Sequence, residues 1–344
     1  MGWQFTPAGE TFEGVRSRWD ELNATRGNHI LLDSTFVVLL LRYFADARVT
    51  LGINVDVDQR GVGLLSRKGP GLWETFQPSQ APIGLFLLAR PDSTGDTLRE
   101  VTHRLPGYAL QLSVLQQDPD HTSVPLVHAR PGLERLDYIH TSRITLTGTF
   151  EEYWKQRGTN LRHNLARQRR RLGEKGHKTE LVVRCKPEEV AAAIREFGSL
   201  ESRGWKAKEG TAVTEGNVQG RFYRDVFENF CARGEGIIYQ LLISGRVAAT
   251  DLCLQRDGMM VVLKTTYNED LREFSPSLLM REEILRRLFA ERQVRVVEFY
   301  GRVMEWHTRW TDETRTMYHL VCFRGPWVRP LKAFARHFWS KKAR

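Results

Sequence analysis

Between Lys264 and Leu279 the chain reads KTTYNEDLREFSPSLL. An alternating apolar segment ends at Lys264-Thr265-Thr266-Tyr267, a polar turn follows, and Ser275-Pro276-Ser277 opens an amphipathic segment. The first N–H groups of a helix have no partner within it, and its dipole puts partial positive charge at the same point. A strand that runs into such a helix start therefore builds an anion site suited to a phosphate or diphosphate. The helix leads to a further strand closing at Glu298-Phe299-Tyr300-Gly301, which sets a carboxylate beside the first strand's end. No Ser-His-Asp or Cys-His spacing marks a covalent nucleophile. Cys185, Cys231, Cys253 and Cys322 lie too far apart for a zinc knuckle or a CxxC pair, so no metal is expected and the thiols read as buried and reduced.

The elements that must position these residues follow from periodicity. In the first half, Asp33-Ser34 caps a helix to about residue 44, and a second helix is expected over 97–105. Strands are expected over 49–57, 63–67, 83–89, 109–115 and 137–146. Residues 71–82, with Pro78 and Pro82, read as a loop that presents Gln77, Ser79 and Gln80. Residues 150–172 read as one helix. Thr149 caps it, Glu151 and Glu152 occupy its first turn, and Trp154, Leu161, Leu165 and Leu172 share a face. Gly158 weakens its middle.

In the second half the expected order is strand 181–184, helix 187–202, a Gly-rich loop over 203–220 and helix 222–233. Strands 236–243, 247–255 and 259–266, helix 276–292 and strands 294–299 and 317–323 complete it. This is an α+β (mixed α/β) order around mostly antiparallel sheets with flanking helices. The first half repeats it more loosely. The domains expected are 1–147, a basic linking helix at 148–178, a second domain at 179–325 and a basic tail at 326–344.

The chain of 344 residues has a net charge of +10, but the charge is local. Residues 155–178 and 324–344 together carry +15, and the remainder is about −5. That distribution argues against a protein that coats nucleic acid. Arg162, Arg167, Arg169, Arg170 and Arg171 cover the first basic helix. They read as a solvated face, as a contact for a CoA 3′-phosphate, or as a tRNA contact. In the tail, Trp327, Val328, Leu331, Phe334, Ala335, Phe338 and Trp339 fall on one helical face among basic residues. Residues 327–342 read either as a docked terminal helix or as a peripheral contact with an anionic membrane surface. The longest apolar run, 36–41, is far short of a span, and the N-terminus has no secretory pattern. The expected compartment is the cytoplasm, with contact at the inner face of the membrane as the variant.

Several blocks carry a family resemblance over roughly residues 28–325. Leu200-Glu201-Ser202-Arg203-Gly204-Trp205-Lys206 followed by Gly210-Thr211-Ala212, the helix Asn160-Leu161-Arg162-His163-Asn164-Leu165, Lys264-Thr265-Thr266-Tyr267 and Phe274-Ser275-Pro276-Ser277-Leu278-Leu279 resemble motifs of GNAT-fold acyltransferases of the CelD/BioF2-like group, which are distantly Fem-like. Ser277 stands where the group has glycine. The closing block departs further, with Glu298 for aspartate and Trp306-His307 for tyrosine-lysine. The Arg-x-x-Gly-x-Gly/Ala loop of simpler GNAT enzymes is absent.

The resemblance implies two tandem GNAT-like domains, the first degenerate. It implies an N-acyltransferase that moves an acyl group from acyl-CoA, most simply acetyl-CoA, to an amine acceptor such as an amino sugar in surface polysaccharide synthesis. Such an enzyme must hold and polarise a thioester, bind the amine and remove a proton. On that reading Lys264, Thr265, Thr266, Phe274, Ser275, Ser277 and Leu278 grip the cofactor. Glu298 or His307 takes the proton, and Tyr267 protonates the leaving thiolate. Trp205, Lys206, Asp251, Gln77, Ser79, Gln80 and Tyr300 line the acceptor site. Each also has an ordinary structural reading: Asp251 as a buried ion-pair partner, Glu298 as a salt-bridged strand end, His307 as a hydrogen-bonding core residue. Two competing functions remain at this point, a Fem-like transfer from aminoacyl-tRNA and a non-catalytic GNAT scaffold of a polysaccharide-synthesis complex.

Overall fold

Asp33 accepts the Thr35 N–H at 2.8 Å and starts the helix that follows, so the expected cap is present. The structure, a computed structural model, describes residues 2–55, 61–89, 94–121, 132–203, 213–214 and 216–328. The chain divides into two units, residues 1–140 with the segment from 315 onward, and residues 141–314.

The first unit is built on strands β1 (Trp3–Pro7), β2 (Val49–Asn54), β3 (Gly61–Gly69), β4 (Leu72–Thr75), β5 (Phe86–Leu88) and β6 (Gln111–Gln117). Its helices are α1 (Ala8–Thr11), α2 (Arg16–Ala24), α3 (Ser34–Phe44) and α4 (Thr94–Arg104). Neighbouring strands are antiparallel except β4 and β6, which run parallel. Trp3, Leu65, Trp73, Phe86, Val101 and Leu112 form part of its core. The loop expected over 71–82 starts late. Leu72–Thr75 pairs as β4, burying Trp73, because its alternation outweighs the prolines that follow. The final strand, β13 (Thr314–Phe323), pairs with β6 and adds Tyr318, Leu320 and Cys322 to this core. The sequence reading gave that strand to the second domain.

The second unit takes the end of β7 (Leu133–Thr145) as a strand. Ser142 to Thr145 pair antiparallel with β12 (Val296–Phe299). The sheet continues through β11 (Met259–Tyr267), β10 (Arg246–Arg256), β9 (Gly236–Ile243) and β8 (Thr179–Arg184). Only β11 and β12 are parallel. They are joined by α9 (Pro276–Glu291), the crossover that a parallel pair requires. Leu279, Met280, Ile284, Leu285 and Leu288 of α9 bury one face of the sheet with Ala249 and Cys253. The other long helices are α7 (Pro187–Arg203) and α8 (Val218–Cys231).

The single helix expected over 150–172 is two, α5 (Phe150–Gln156) and α6 (Thr159–Glu174). Arg157 and Gly158 are extended between them, and Arg157 donates to the Trp310 carbonyl at 2.6 Å. The capping box of Thr149 and Glu152 is formed as read. Both helices pack within the second unit through Phe150, Tyr153, Leu161, Leu165 and Leu172. At the far end, Val328 is buried with Val321 and Phe323, whereas Trp327 is exposed; the rest of the tail stripe lies outside the described residues.

Candidate active site

The site begins with a slip in the sheet. Lys264 stands opposite Leu252 and Val262 opposite Cys253, so Leu263 is an extra residue on β11. A bulge bends its strand and ends local pairing. The parallel pairing with β12 stops at Val261 and Glu298, while β11 continues along β10 to Tyr267. From Val262 to Tyr267 the edge of β11 that faced β12 has no strand partner among the described residues. A cavity of about 560 Å³ opens there, within the usual range for small-molecule sites.

The chain that leaves β11 forms a 3₁₀ turn at Glu269–Phe274 and reaches Ser275 in the left-handed region, with φ 52°. Pro276 then occupies the first helical position, where its missing N–H costs nothing. The Leu278 and Leu279 amides both donate to the Ser275 carbonyl, at 3.0 and 3.1 Å. The Ser277 amide has no acceptor among the described residues and lies in the cavity wall. Thr265, Tyr267, Arg272, Ser275, Ser277 and Leu278 form one side of the cavity, and Met304, Glu305, Trp306, Arg309 and Trp310 the other. Arg272 is exposed and pairs with no carboxylate among the described residues, whereas Arg309 is paired to Glu305 at 2.7 Å.

The structure brings together Thr265, Thr266, Tyr267, Ser275, Ser277 and Leu278 in the cavity lining. It separates Lys264 from them. Lys264 has its Nζ 5.7 Å from the Tyr223 ring of α8 and is not among the residues that line the cavity. Phe274 is also withdrawn. Its ring is buried in the core, edge-on to His177, with the Lys175 ammonium 4.8 Å from its centroid.

The two proton acceptors expected do not line the cavity. Glu298 is 1% exposed, stands opposite Arg143 in the β12–β7 register, and its carboxylate lies 3.9 Å from that guanidinium. His307 stacks on Trp306 at 3.5 Å between centroids and meets Phe299 edge-on. Its Nδ1 accepts the Met304 N–H at 2.9 Å. Burial pushes its pKa down to about 4, and the charge of Arg281 acts in the same direction. A neutral imidazole with Nδ1 engaged carries its proton on Nε2, so it is a donor and not a base.

Among the acceptor-site expectations, Asp251 is fully buried on β10 and pairs with Arg281 of α9 at 2.6 Å. Tyr300 is buried and outside the cavity lining. Gln77 spends its amide on the Ala81 and Ile83 carbonyls, Ser79 donates to Gln80, and none of the three lines the cavity. Trp205 and Lys206 lie outside the described residues. The lining residues not expected as site residues are Arg272, Pro276, Arg281 and the group Met304, Glu305, Trp306, Arg309 and Trp310. Glu305 and Arg309 sit one helical turn apart around the Trp306-His307 pair and carried that signal.

Part of the charge on the basic helix is paired with acids. Arg169 meets Glu282 at 2.9 Å and Glu283 at 2.7 Å, and Glu273 takes Arg171 at 2.6 Å and Lys175 at 3.4 Å. These three cations dock α6 and the residue after it to Glu273, Glu282 and Glu283. No group of His, Cys, Asp or Glu able to hold a metal is found among the described residues. No helix among them is long and apolar enough to cross a membrane.

Residues 159–308 match the family described as Acetyltransferase (GNAT) domain. That segment falls inside the second unit, which is therefore a domain of the transferase class; the narrower CelD/BioF2-like grouping is not part of the match. The whole fold resembles solved structures at low identity. A protein described as the C-terminal domain of a lysylphosphatidylglycerol synthetase from Agrobacterium fabrum aligns over 94% of this chain and 95% of its own, at 11% identity and TM-score 0.58. The structure named FemX aligns over 93% and 98%, at 10% identity and TM-score 0.55. L-PGS from Bacillus licheniformis aligns over 90% and 91%, at 11% and 0.54. At such identities the likeness is one of fold. No curated protein sequence matches this chain.

Proposed function

We propose that the second unit binds an acyl-CoA in the opening between β11 and β12 and transfers its acyl group to an amine. The observation that carries this reading is the coincidence of three features in one cavity: the released β11 edge, the Ser277 amide at the start of a 16-residue helix, and Arg272, which pairs with no carboxylate among the described residues. The diphosphate would take the helix start and Arg272, because main-chain donors and a guanidinium both favour a doubly charged ligand. The thioester carbonyl would lie along the β11 edge, where main-chain N–H groups polarise it without reorganising.

Glu305 is the one carboxylate in the lining among the described residues and is assigned the amine's proton. Tyr267 is assigned the proton returned to the thiolate. The acceptor class, an amino sugar or a related amine, and a place in surface polysaccharide synthesis rest on the family resemblance.

A second reading keeps the same cavity for an aminoacyl donor carried by tRNA, and the whole-chain likeness to FemX and to lysylphosphatidylglycerol synthetases favours it. The pairing of Arg169, Arg171 and Lys175 with acids weighs against it, since RNA affinity needs cations that are available to phosphates. The test compares thermal stabilisation by acetyl-CoA with filter binding of tRNA at moderate salt. A saturable rise in Tm with acetyl-CoA, and no tRNA retained, supports the first reading. Retained tRNA without a shift in Tm transfers the assignment to the second.

A further inference from the structure

Helix α9 carries one cation into the sheet. Arg281 is 3% exposed, lies in the cavity wall, and has its guanidinium carbon 5.1 Å from the Phe299 ring centroid. Its Nη2 lies 2.6 Å from the Asp251 carboxylate as an ion pair, and both carboxylate oxygens are buried without a hydrogen-bond partner among the described residues. Asp251 stands opposite Thr265 in the β10–β11 register, so the ion pair underlies the stretch of β11 that has lost β12. The Nη1 of Arg281 is buried and has no hydrogen-bond partner among the described residues. Buried donors in folded proteins are almost always matched, and an unmatched one in a cavity wall is half of a bond whose acceptor comes with the ligand.

The charge balance selects the acceptor. Arg281 and Asp251 carry opposite formal charges; burial pushes the Asp251 carboxyl up while the charge of Arg281 pulls it down, and a second carboxylate brought against the pair would add buried negative charge. An uncharged carbonyl oxygen adds none. If that oxygen gains negative charge during the reaction, the guanidinium stabilises it more strongly in the transition state than in the ground state.

We propose that Arg281 is a catalytic residue whose Nη1–H donates to the carbonyl oxygen of the acyl thioester, and that Asp251 is the positioning residue that holds the guanidinium there. The inference rests on the acyl-CoA reading above. As the amine nitrogen forms its bond to the carbonyl carbon, the π pair moves onto the oxygen beside Arg281. The pair returns as the C–S bond breaks, and the bonding electrons leave on sulfur. The nitrogen's proton passes to Glu305, and the thiolate takes one from Tyr267.

The experiment records the carbonyl stretch of carbonyl-13C acetyl-CoA by isotope-edited infrared spectroscopy, free and bound to the full chain, with CoA titrated calorimetrically alongside. Removing Arg281 alone would strand a buried carboxylate, so the variant is the double substitution Asp251→Asn with Arg281→Met, which removes both charges. The wild type is expected to bind both ligands and to shift the carbonyl band to lower frequency. The double variant is expected to keep its affinity for CoA and lose the shift. The single variant Asp251→Asn, which frees the guanidinium to move, is expected to broaden or reduce the shift while retaining CoA binding. A wild-type band that stays at the free position with CoA bound, or a shift undiminished in the double variant, overturns the role of Arg281 and leaves the acyl-CoA reading standing. A wild type that binds neither ligand overturns that reading, and this inference with it.

Discussion

The backbone N–H of Met304 donates to Nδ1 of His307 over 2.9 Å, and the imidazole it fixes is stacked on Trp306. This bond makes His307 the brace that turns the Met304–Trp310 segment into one wall of the cavity. Its pKa is pushed down by burial to about 4, below the value near 6.5 of an unfolded histidine. The stability that the neutral ring contributes is therefore complete above pH 6.5. It drains away as pH falls toward 4, where the unfolded chain binds a proton that the fold refuses. In an NMR titration His307 is expected to remain neutral at pH 5, and His307→Gln is expected to flatten the fall in Tm between pH 6.5 and 4. An activity profile with a step near pH 6.5 that vanishes in His307→Gln would restore the ring as a proton acceptor.

Arg272 is exposed near the helix start and pairs with no carboxylate among the described residues. A charge-assisted hydrogen bond contributes about 1.5–3 kcal/mol, so its loss corresponds to roughly a tenfold or larger weakening of diphosphate binding. Arg272→Glu is expected to raise KM for acetyl-CoA by about that factor and to leave kcat near wild type, because the contact is the same in ground and transition states. The measurement is a steady-state titration at fixed ionic strength. An unchanged KM would place the diphosphate elsewhere.

Most of the second unit was legible because its elements are strongly periodic. The ends of β9 (Gly236–Ile243) and the start of α9 at Pro276 fell where alternation and proline said they should. Two kinds of feature were not legible. A bulge at Leu263 flips the side-chain alternation within one residue, and no composition marks it, so Lys264 looked equivalent to Thr265 when it faces α8. Strand partnership across long sequence separations was equally hidden: β13 pairs with β6, about two hundred residues away, and apolar alternation carries no record of which neighbour it meets. The break at Arg157-Gly158 hid for a related reason. Trp154 and Leu161 are seven residues apart, a spacing that one helix or two can satisfy.

Phe274, expected to contact the cofactor, is a core residue at the end of the 3₁₀ turn. Truncating a buried phenylalanine costs about 3–5 kcal/mol through lost burial and the cavity left behind. Phe274→Ala is expected to lower stability by that order in urea unfolding. At a temperature where the variant is folded, its acetyl-CoA affinity is expected to match wild type. A variant of normal stability with weakened ligand binding would return Phe274 to the site.

In the first unit, Asp118 is fully buried and takes two bonds from Arg315, at 2.9 and 2.7 Å, tying the final strand to the end of β6. Burial pushes the Asp118 carboxyl up, but the hydrogen bonds and charge of Arg315 outweigh it and hold the pKa below the usual carboxylate value. Its contribution is thus present above about pH 4 and is lost as pH falls through the lower folded value. Asp118→Asn removes the carboxylate that takes both bonds from Arg315 and leaves it the carboxylate of Asp120, 3.8 Å away, so it is expected to cost about 3 kcal/mol, the low end for breaking a buried pair, while Asp118→Asn with Arg315→Met is expected to recover most of that loss. Urea unfolding of the full chain, followed at pH 7 and pH 4, separates the outcomes. If Asp118→Asn changes stability by less than about 0.5 kcal/mol, as an ordinary surface substitution does, the pair does not fasten β13 and the closing strand is held by its apolar residues alone.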